Sequence, residues 1–430
     1  MQAKVIGAGL AGVEAAYYLA NQGIEVKLYE MRPKKMTDAH QTRLFAELVC
    51  SNSFRSKDPL NAVGMLKDEM RQLNSLVMEA AELYEVSAGS SLAVDRTLFS
   101  TYITGKIINH PQIEVIHQEV TEIDYNEPTI IAAGPLVSNE LKTNLMKIFG
   151  AKELNFYDAV APIISEKSIN KEICYLKSRY DKGKAAYLNC PLTKEEYTEF
   201  YKALINAEVA PLKDFEIGVF EGCVPFEVLA KRGFETLLYG PLKPVGLEYN
   251  NNKPYAVVQL RQDDAIKSMY NLVGFQTNLK FSEQKRLIQM IPGLEKAEIL
   301  RYGVMHKNTY FNSPNILNPT YQAKEYPNLF LAGQISGVEG YLESASSGLS
   351  AAIMLARFLT KKELIPLPKE TIIGSLAHYI STPNYKFNPM NANLGLLPNL
   401  GSHRKSERRK LYRKRSDKYI KKYLNEVIYE

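Results

Sequence analysis

The side chains with the greatest chemical capacity in this chain are its four cysteines, Cys50, Cys174, Cys190 and Cys223. Cys223 lies in Glu221-Gly222-Cys223-Val224-Pro225. Pro225 suits the first turn of a helix, and Gly233 suits its end. A thiol just ahead of a helix N-terminus has a lowered pKa and reacts as a thiolate, and Gly222 leaves room for a substrate. The plainer alternative is a small buried hydrophobe, since free cysteine is among the most buried residue types. Cys50 stands where an apolar strand through Leu48-Val49 meets Ser51-Asn52-Ser53. That gives either a second thiol beside a polar loop or a packing residue. Cys174 and Cys190 sit in apolar alternating stretches and read as packing. No two cysteines have the close spacing of a metal site, so no metal is expected, and in a reducing compartment all four read as free thiols. Of the six histidines, His306 keeps polar company in Met305-His306-Lys307-Asn308 and reads as a satisfied hydrogen-bonding residue.

The elements that must position such chemistry begin at the first residues. Val5-Ile6-Gly7-Ala8-Gly9-Leu10-Ala11-Gly12 reads as a strand, a glycine turn and a helix over 10–22, followed by a second strand ending at Glu30. In this pattern Gly7 permits the turn, Gly9 lets the backbone approach a pyrophosphate, and Gly12 lets the helix pack on the sheet. The helix N-terminus favours phosphate, and Glu30 is placed to accept from a ribose 2′-hydroxyl. The candidate dinucleotide contacts are therefore Gly7, Ala8, Gly9, Leu10, Ala11, Gly12 and Glu30. Further on, Thr129-Ile130-Ile131 runs into a glycine turn at Gly134. A late strand, Leu329-Phe330-Leu331, leads to Gly333-Gln334, and a helix begins after Gly340 and continues past Gly348. Flavoproteins of the glutathione-reductase type use such a late strand–turn–helix for the flavin end of FAD, and a purely NAD-binding enzyme has no need of it. The pairing favours FAD and adds Gly134, Gly333, Gln334, Gly340 and Gly348 to the candidates.

The expected fold class is α/β: a glutathione-reductase-type FAD-binding Rossmann fold with an inserted α/β domain. The expected organisation is a first FAD-binding part over 1–150, an inserted substrate domain over 151–320, an FAD-binding return over 321–403 and a basic C-terminal tail over 404–430. Residues 60–85 carry helical apolar spacing, 113–123 alternate like strands, and 282–291 form a short helix. The 430 residues and 45% hydrophobic content support ordinary packed cores. No apolar run approaches the ~18 residues of a spanning helix. A cleaved signal peptide would destroy the glycine motif. A cytoplasmic protein that does not enter membranes is expected. The net charge is +6, with eleven Lys or Arg and two acids between Arg404 and Lys422. That run is either a solvated helix face or a phosphate-contacting tail.

Longer stretches resemble one family, the folate- and flavin-dependent tRNA uracil-5-methyltransferases that oxidise FADH2. They include residues 5–12, Tyr29-Glu30-Met31-Arg32-Pro33, 45–53, 93–96, 175–183, Glu221-Gly222-Cys223, 240–247, 256–264, 301–308, 332–348 and 389–393. The similarity covers essentially the whole chain in order. It departs at Ala133, where the family pattern carries Thr, and is weakest in the basic tail. The resemblance implies methylation of uridine C5 in structured RNA. A thiolate adds to C6, and the resulting enolate attacks a one-carbon unit from 5,10-methylenetetrahydrofolate. FADH2 supplies a hydride, and NADPH or NADH regenerates it. By the same resemblance Cys223 is the nucleophile and Cys50 its partner thiol, a general acid or base, with the reverse assignment open. The implied substrate is the T-loop uridine of tRNA, with a 23S ribosomal RNA uridine as the alternative, flipped into the site. Arg96, Lys243 and Arg301 are candidate phosphate contacts, each with the alternative of a structural ion-pair residue. Competing readings are a flavin-dependent thiol/disulfide oxidoreductase using Cys50 and Cys223 as a redox pair, a non-catalytic flavin-stabilised RNA-binding protein, and the larger related flavoprotein that modifies wobble uridines. The contexts of the two cysteines argue against the last. Oligomeric state is not legible.

Overall fold

The computed structural model describes residues 1–151, 153–181, 185–211, 224–384 and 387–429. Cys223 and Gly222 lie outside the described residues.

Strand Gln2–Ile6 pairs in parallel with Glu25–Tyr29 on one side and Thr129–Ile131 on the other. Ile113–Ile116 and Leu329–Leu331 complete the two edges of a five-stranded, all-parallel sheet. Strands of this kind are covered on both faces and read as near-continuous apolar runs; Thr129–Ile131 and Leu329–Leu331 are buried at every position. The first helix, Leu10–Asn21, packs on this sheet and against the long helix Tyr341–Leu359. A Cβ on Gly348 would run into the Ala11 carbonyl, and one on Gly12 into the Gly7 carbonyl. Both glycines are therefore demanded by close backbone packing.

Between the parallel strands lies a six-stranded antiparallel sheet in the order Tyr175–Leu176, Tyr187–Leu192, Ala256–Gln262, Met269–Leu272, Ile163–Ser165 and Ile299–Arg301. Tyr197, Phe200 and Leu204, on one face of helix Lys194–Ile205, fill the core beneath it. A separate antiparallel pair, Glu153–Ala159 with Met305–Phe311, connects the two bodies and places Asp158 directly opposite His306.

Several sequence expectations change in detail. Residues 60–85 form two helices, Ala62–Gln72 and Leu76–Leu83. They are broken where Asn74 turns left-handed (φ 58°) and the Ser75 hydroxyl caps the second. Only Ile113–Ile116 of the 113–123 stretch is a strand, and the short helix predicted over 282–291 spans Phe281–Ile288. No strand precedes Cys50; residues 45–50 are irregular. The basic C-terminal segment is a docked helix, Lys405–Tyr423. Tyr412, Ile420 and Tyr423 bury one face of it against the dinucleotide body, each worth roughly 2 kcal/mol. Ser416 donates to the buried carboxylate of Glu69 at 2.5 Å. The opposite face carries exposed Lys410, Lys414, Lys418 and Lys421. Among the described residues, no helix is long and apolar enough to cross a membrane and no His/Cys/Asp/Glu group could hold a metal.

Candidate functional site

One cavity of about 390 Å³ opens where the parallel sheet, the strand pair and the Cys50 segment meet. Two helix N-termini border it, that of Leu10–Asn21 behind Gly9 and that of Tyr341–Leu359 behind Gly340. Of the candidate cofactor residues, Gly7, Gly9, Leu10, Ala11, Glu30, Gly134, Gly333, Gln334 and Gly340 line it. Ala8, Gly12 and Gly348 do not, for definite reasons. The Ala8 N–H donates to Glu30 Oε2 at 3.0 Å and its carbonyl accepts from Ala46 N at 2.9 Å. Gly12 and Gly348 face backbone. Gly9 is the opposite case: a Cβ there meets nothing within 4 Å, which is the open approach a pyrophosphate requires.

Glu30 sits on the cavity wall at the end of its strand, but its carboxylate is already engaged. Arg32 donates from N and Nε to Oε1 at 3.0 Å and from Nη2 to Oε2 at 3.3 Å. Burial works against the Glu30 charge, yet the adjacent guanidinium and these donors bring its pKa below the ordinary value. A ribose hydroxyl here would share the carboxylate with Arg32.

At the other end, Gly333 (φ 81°) and Gly340 (φ 110°) take left-handed backbone, and the Gly340 position leaves no room for a side chain beside Glu343 and Arg55. Gln334 Nε2 donates to Glu339 at 2.5 Å. Glu339 N donates to the Met390 carbonyl at 2.8 Å and Met390 N returns a bond to Gly337 at 3.0 Å. The distant 389–393 stretch thus braces this turn.

Cys50 reaches the same cavity. Its segment is held by side chains from far along the chain. Arg96 Nη1 donates to the Leu48 carbonyl at 2.7 Å while its Nε pairs with Asp263 at 2.9 Å. Arg301 Nη2 donates to the Val49 carbonyl at 2.8 Å. The backbone N–H groups of Cys50 and Ser51 both donate to the Tyr341 hydroxyl, at 2.7 and 3.0 Å. Arg261 holds Asn52 Oδ1 at 2.9 Å and Ser51 Oγ at 3.3 Å. Arg96 and Arg301, candidate phosphate contacts, are therefore committed to fixing this loop. Lys243 lies elsewhere, its carbonyl accepting from Arg179 at 3.0 Å.

The same cavity has a polar wall of which the sequence drew attention only to His306 and its stretch. Asp158 (7% exposed), His306 (8%) and Asn308 (1%) line the cavity, and Asp158 Oδ1, His306 Nδ1 and Asn308 Oδ1 are buried with no hydrogen-bond partner among the described residues. His306 is thus not the satisfied residue expected. Such orphaned atoms are costly unless a ligand meets them. The polar alternation of His306 and Asn308 along one strand face was the available signal. Burial, then the Asp158 charge, pushes the Cys50 thiol well above its ordinary pKa, with Arg96 and Arg301 opposing. Burial lowers His306, and it brings His40, beside Arg32, down to about 4. Burial and Asp158 raise Glu339. The other two described cysteines, Cys174 and Cys190, are buried side by side as unlinked thiols with sulfurs 3.1 Å apart, away from this cavity.

Comparisons with known proteins agree with this architecture. The model of the family "Glucose inhibited division protein A" matches residues 2–363. A protein of Acholeplasma laidlawii (strain PG-8A), named methylenetetrahydrofolate--tRNA-(uracil-5-)-methyltransferase TrmFO, is 63% identical over 422 residues, covering 98% of this chain and 99% of its own. A Bacillus subtilis (strain 168) protein of the same name is 58% identical over 401 residues, 92% of each chain. A crystal structure of Aquifex aeolicus GidA aligns with a TM-score of 0.71 at 16% identity, over 99% of this chain and 73% of that one, and shows the shared fold. Nearly full-length identity at this level settles the matter of kinship: the chain belongs to the TrmFO-type methylenetetrahydrofolate--tRNA-(uracil-5-)-methyltransferase family, within the wider GidA group.

Proposed function

We propose that this protein methylates C5 of a uridine in tRNA, taking the carbon from 5,10-methylenetetrahydrofolate and the reducing hydride from FADH2. The observation that carries this reading is a rigidly held thiol, Cys50, opening on a cavity built from two dinucleotide-type glycine turns, in a chain alike from end to end to proteins named for that reaction.

The residues present fit FAD. Gly7, Gly9, Leu10 and Ala11 would receive the pyrophosphate at the helix N-terminus, with Glu30 and Arg32 at a ribose. Gly134, Gly333, Gln334 and Gly340 would border the flavin, where Asp158 Oδ1, His306 Nδ1 and Asn308 Oδ1, without hydrogen-bond partners among the described residues, would meet polar edges. When bound and reduced, FAD supplies the hydride that converts a transferred methylene to methyl. NADPH or NADH restores it.

Uracil C5 becomes nucleophilic only after a thiolate adds to C6. Cys223 is assigned that addition through its sequence context. Cys50 is assigned the proton transfer at C5. Burial and Asp158 raise the Cys50 pKa, which disfavours a standing thiolate nucleophile but makes its thiolate, once formed, the stronger base toward the C5 proton. Arg96, Arg301 and Tyr341 orient it through the backbone of its loop. The exposed basic face of helix Lys405–Tyr423 offers phosphate contacts independent of base sequence.

The test is mass-spectrometric detection of 5-methyluridine after incubation with NADPH and methylenetetrahydrofolate, using unmodified tRNA and 23S ribosomal RNA separately. Product in tRNA is expected. Product only in ribosomal RNA would move the substrate. NADPH consumption with no product, together with a Cys50–Cys223 disulfide, would replace the reading by thiol/disulfide oxidoreduction.

A further inference from the structure

Away from the cavity, two loops of the antiparallel sheet lock together around an exposed tyrosine. Tyr180 has φ 57° and ψ 27°, and Asp181 follows at φ 51°. Left-handed backbone at a bulky residue is costly and persists only where its surroundings over-determine it. Here they do. Tyr180 N donates to the Gly246 carbonyl at 2.9 Å. The ring lies directly on Gly246, where a Cβ would stand 2.6 Å from it. Arg179 donates to the carbonyls of Val245 and Lys243 and, at 3.1 Å, to Gln259 Oε1. Lys177 Nζ donates to the Glu248 carbonyl at 2.7 Å. Tyr175 stacks on Tyr249 with centroids 4.5 Å apart and planes at 7°.

All this fixes a ring that remains 52% exposed. Burial does not explain the cost, because much of the apolar surface stays in water. A ring seated on glycine and half exposed offers a surface for stacking. Three lysines and two acids share these loops: Lys177, whose ammonium meets the Glu248 carbonyl at 2.7 Å and Asp181 at 3.5 Å, with Lys243, Lys253 and Glu248. An aromatic face among lysines matches an unstacked base flanked by phosphates.

Its position is also telling. Lys177 N bonds the Tyr187 carbonyl at 2.9 Å, Tyr187 pairs with Arg261, and Arg261 holds Ser51 and Asn52 beside Cys50. Two strand spacings, roughly 10 Å, separate the edge strand that leads to the platform from the strand that braces the Cys50 loop.

We propose that Tyr180, seated on Gly246, is a stacking site for an unpaired RNA base a few nucleotides from the target uridine. This rests on the RNA-modifying reading above. A base stacked there would help hold the RNA loop open while its neighbour is extruded.

The experiment uses the full-length FAD-loaded protein and a tRNA T-arm hairpin carrying 2-aminopurine at positions flanking the target uridine. Tyr180→Phe should bind within about two-fold of wild type and keep the fluorescence quenching that stacking produces. Tyr180→Leu, which still covers Gly246, should bind roughly ten-fold more weakly, lose the quenching and leave the salt dependence unchanged, since no charge is removed. Flavin absorbance and thermal unfolding check that each variant is folded. Wild-type affinity and quenching in Tyr180→Leu, or an equal loss in Tyr180→Phe, would overturn the platform while wild-type product formation left the methyltransferase reading standing. Failure of the wild type itself to bind or methylate tRNA would overturn both.

Discussion

The glycine turns and the segment carrying Cys50 face each other across one cavity, yet they are held in place by different means. The turns are fixed locally, by left-handed backbone at Gly7, Gly333 and Gly340 and by helix backbones packed without side chains at Gly12 and Gly348. The Cys50 segment is irregular and owes its shape to Arg96, Arg261, Arg301 and Tyr341. A turn made of glycines tolerates almost no added atom where backbones touch, whereas a clamped loop loses precision before it loses its fold.

The largest effect should follow from breaking the first kind of order. Gly12→Val drives a side chain into the Gly7 carbonyl and should cost at least about 3 kcal/mol, read as a large fall in Tm and loss of soluble flavoprotein. Gly9→Ala sharpens the contrast, because its Cβ meets only open space. It should keep the unfolding free energy within about 1 kcal/mol of wild type but weaken FAD binding ten-fold or more, measured by titration of the apoprotein.

Next comes the clamp. Arg301→Ala removes the donor to the Val49 carbonyl, a loss of roughly 1–3 kcal/mol. It should lower 5-methyluridine formation at least ten-fold with flavin content retained. Equal loss of flavin and product would mean the two regions are one unit.

A smaller effect probes electrostatics. Asp158 raises the Cys50 pKa, so Asp158→Asn should lower it and increase the thiolate fraction at any given pH. Iodoacetamide labelling of Cys50, followed by peptide mass spectrometry between pH 7 and 10, should accelerate several-fold and shift to lower pH. An unchanged profile would remove Asp158 from the account.

The smallest change should come from the docked basic helix. Replacing Lys414, Lys418 and Lys421 by Ala leaves its buried face intact and should flatten the dependence of log K on log salt by roughly 0.7–0.9 per lost phosphate contact. An unchanged slope would make it a solvated face.

This division also explains what the amino-acid sequence disclosed. Gly7 and Gly9 announce themselves because turn geometry is written in neighbouring residues. The return at Leu329–Leu331 is a buried strand running into Gly333, as its strand–glycine pattern predicts, and it pairs with Thr129–Ile131. Gly12 reads as the packing glycine of its motif and does pack closely, whereas the packing use of Gly348 emerges only from its tertiary contact with Ala11. Cys50 was visible as a thiol beside a polar loop, while its clamp was not, since Arg261 and Arg301 lie 209 or more positions away from their partners in that loop. Asp158 and His306 meet only through the register of two strands separated by the whole antiparallel sheet. The C-terminal helix reads as a run of charge because its buried Tyr412, Ile420 and Tyr423 are sparse.

The most direct test of the central claim follows the carbon. Enzyme, NADPH and unmodified tRNA would be supplied with methylenetetrahydrofolate carrying ¹³C at the methylene, and the methyl of 5-methyluridine read by mass spectrometry, with Cys50→Ser in parallel. The predicted result is a ¹³C-labelled methyl group from the wild type and, from a variant that still binds FAD, at least a hundred-fold less product. An unlabelled methyl group, or normal product from Cys50→Ser, would contradict the account.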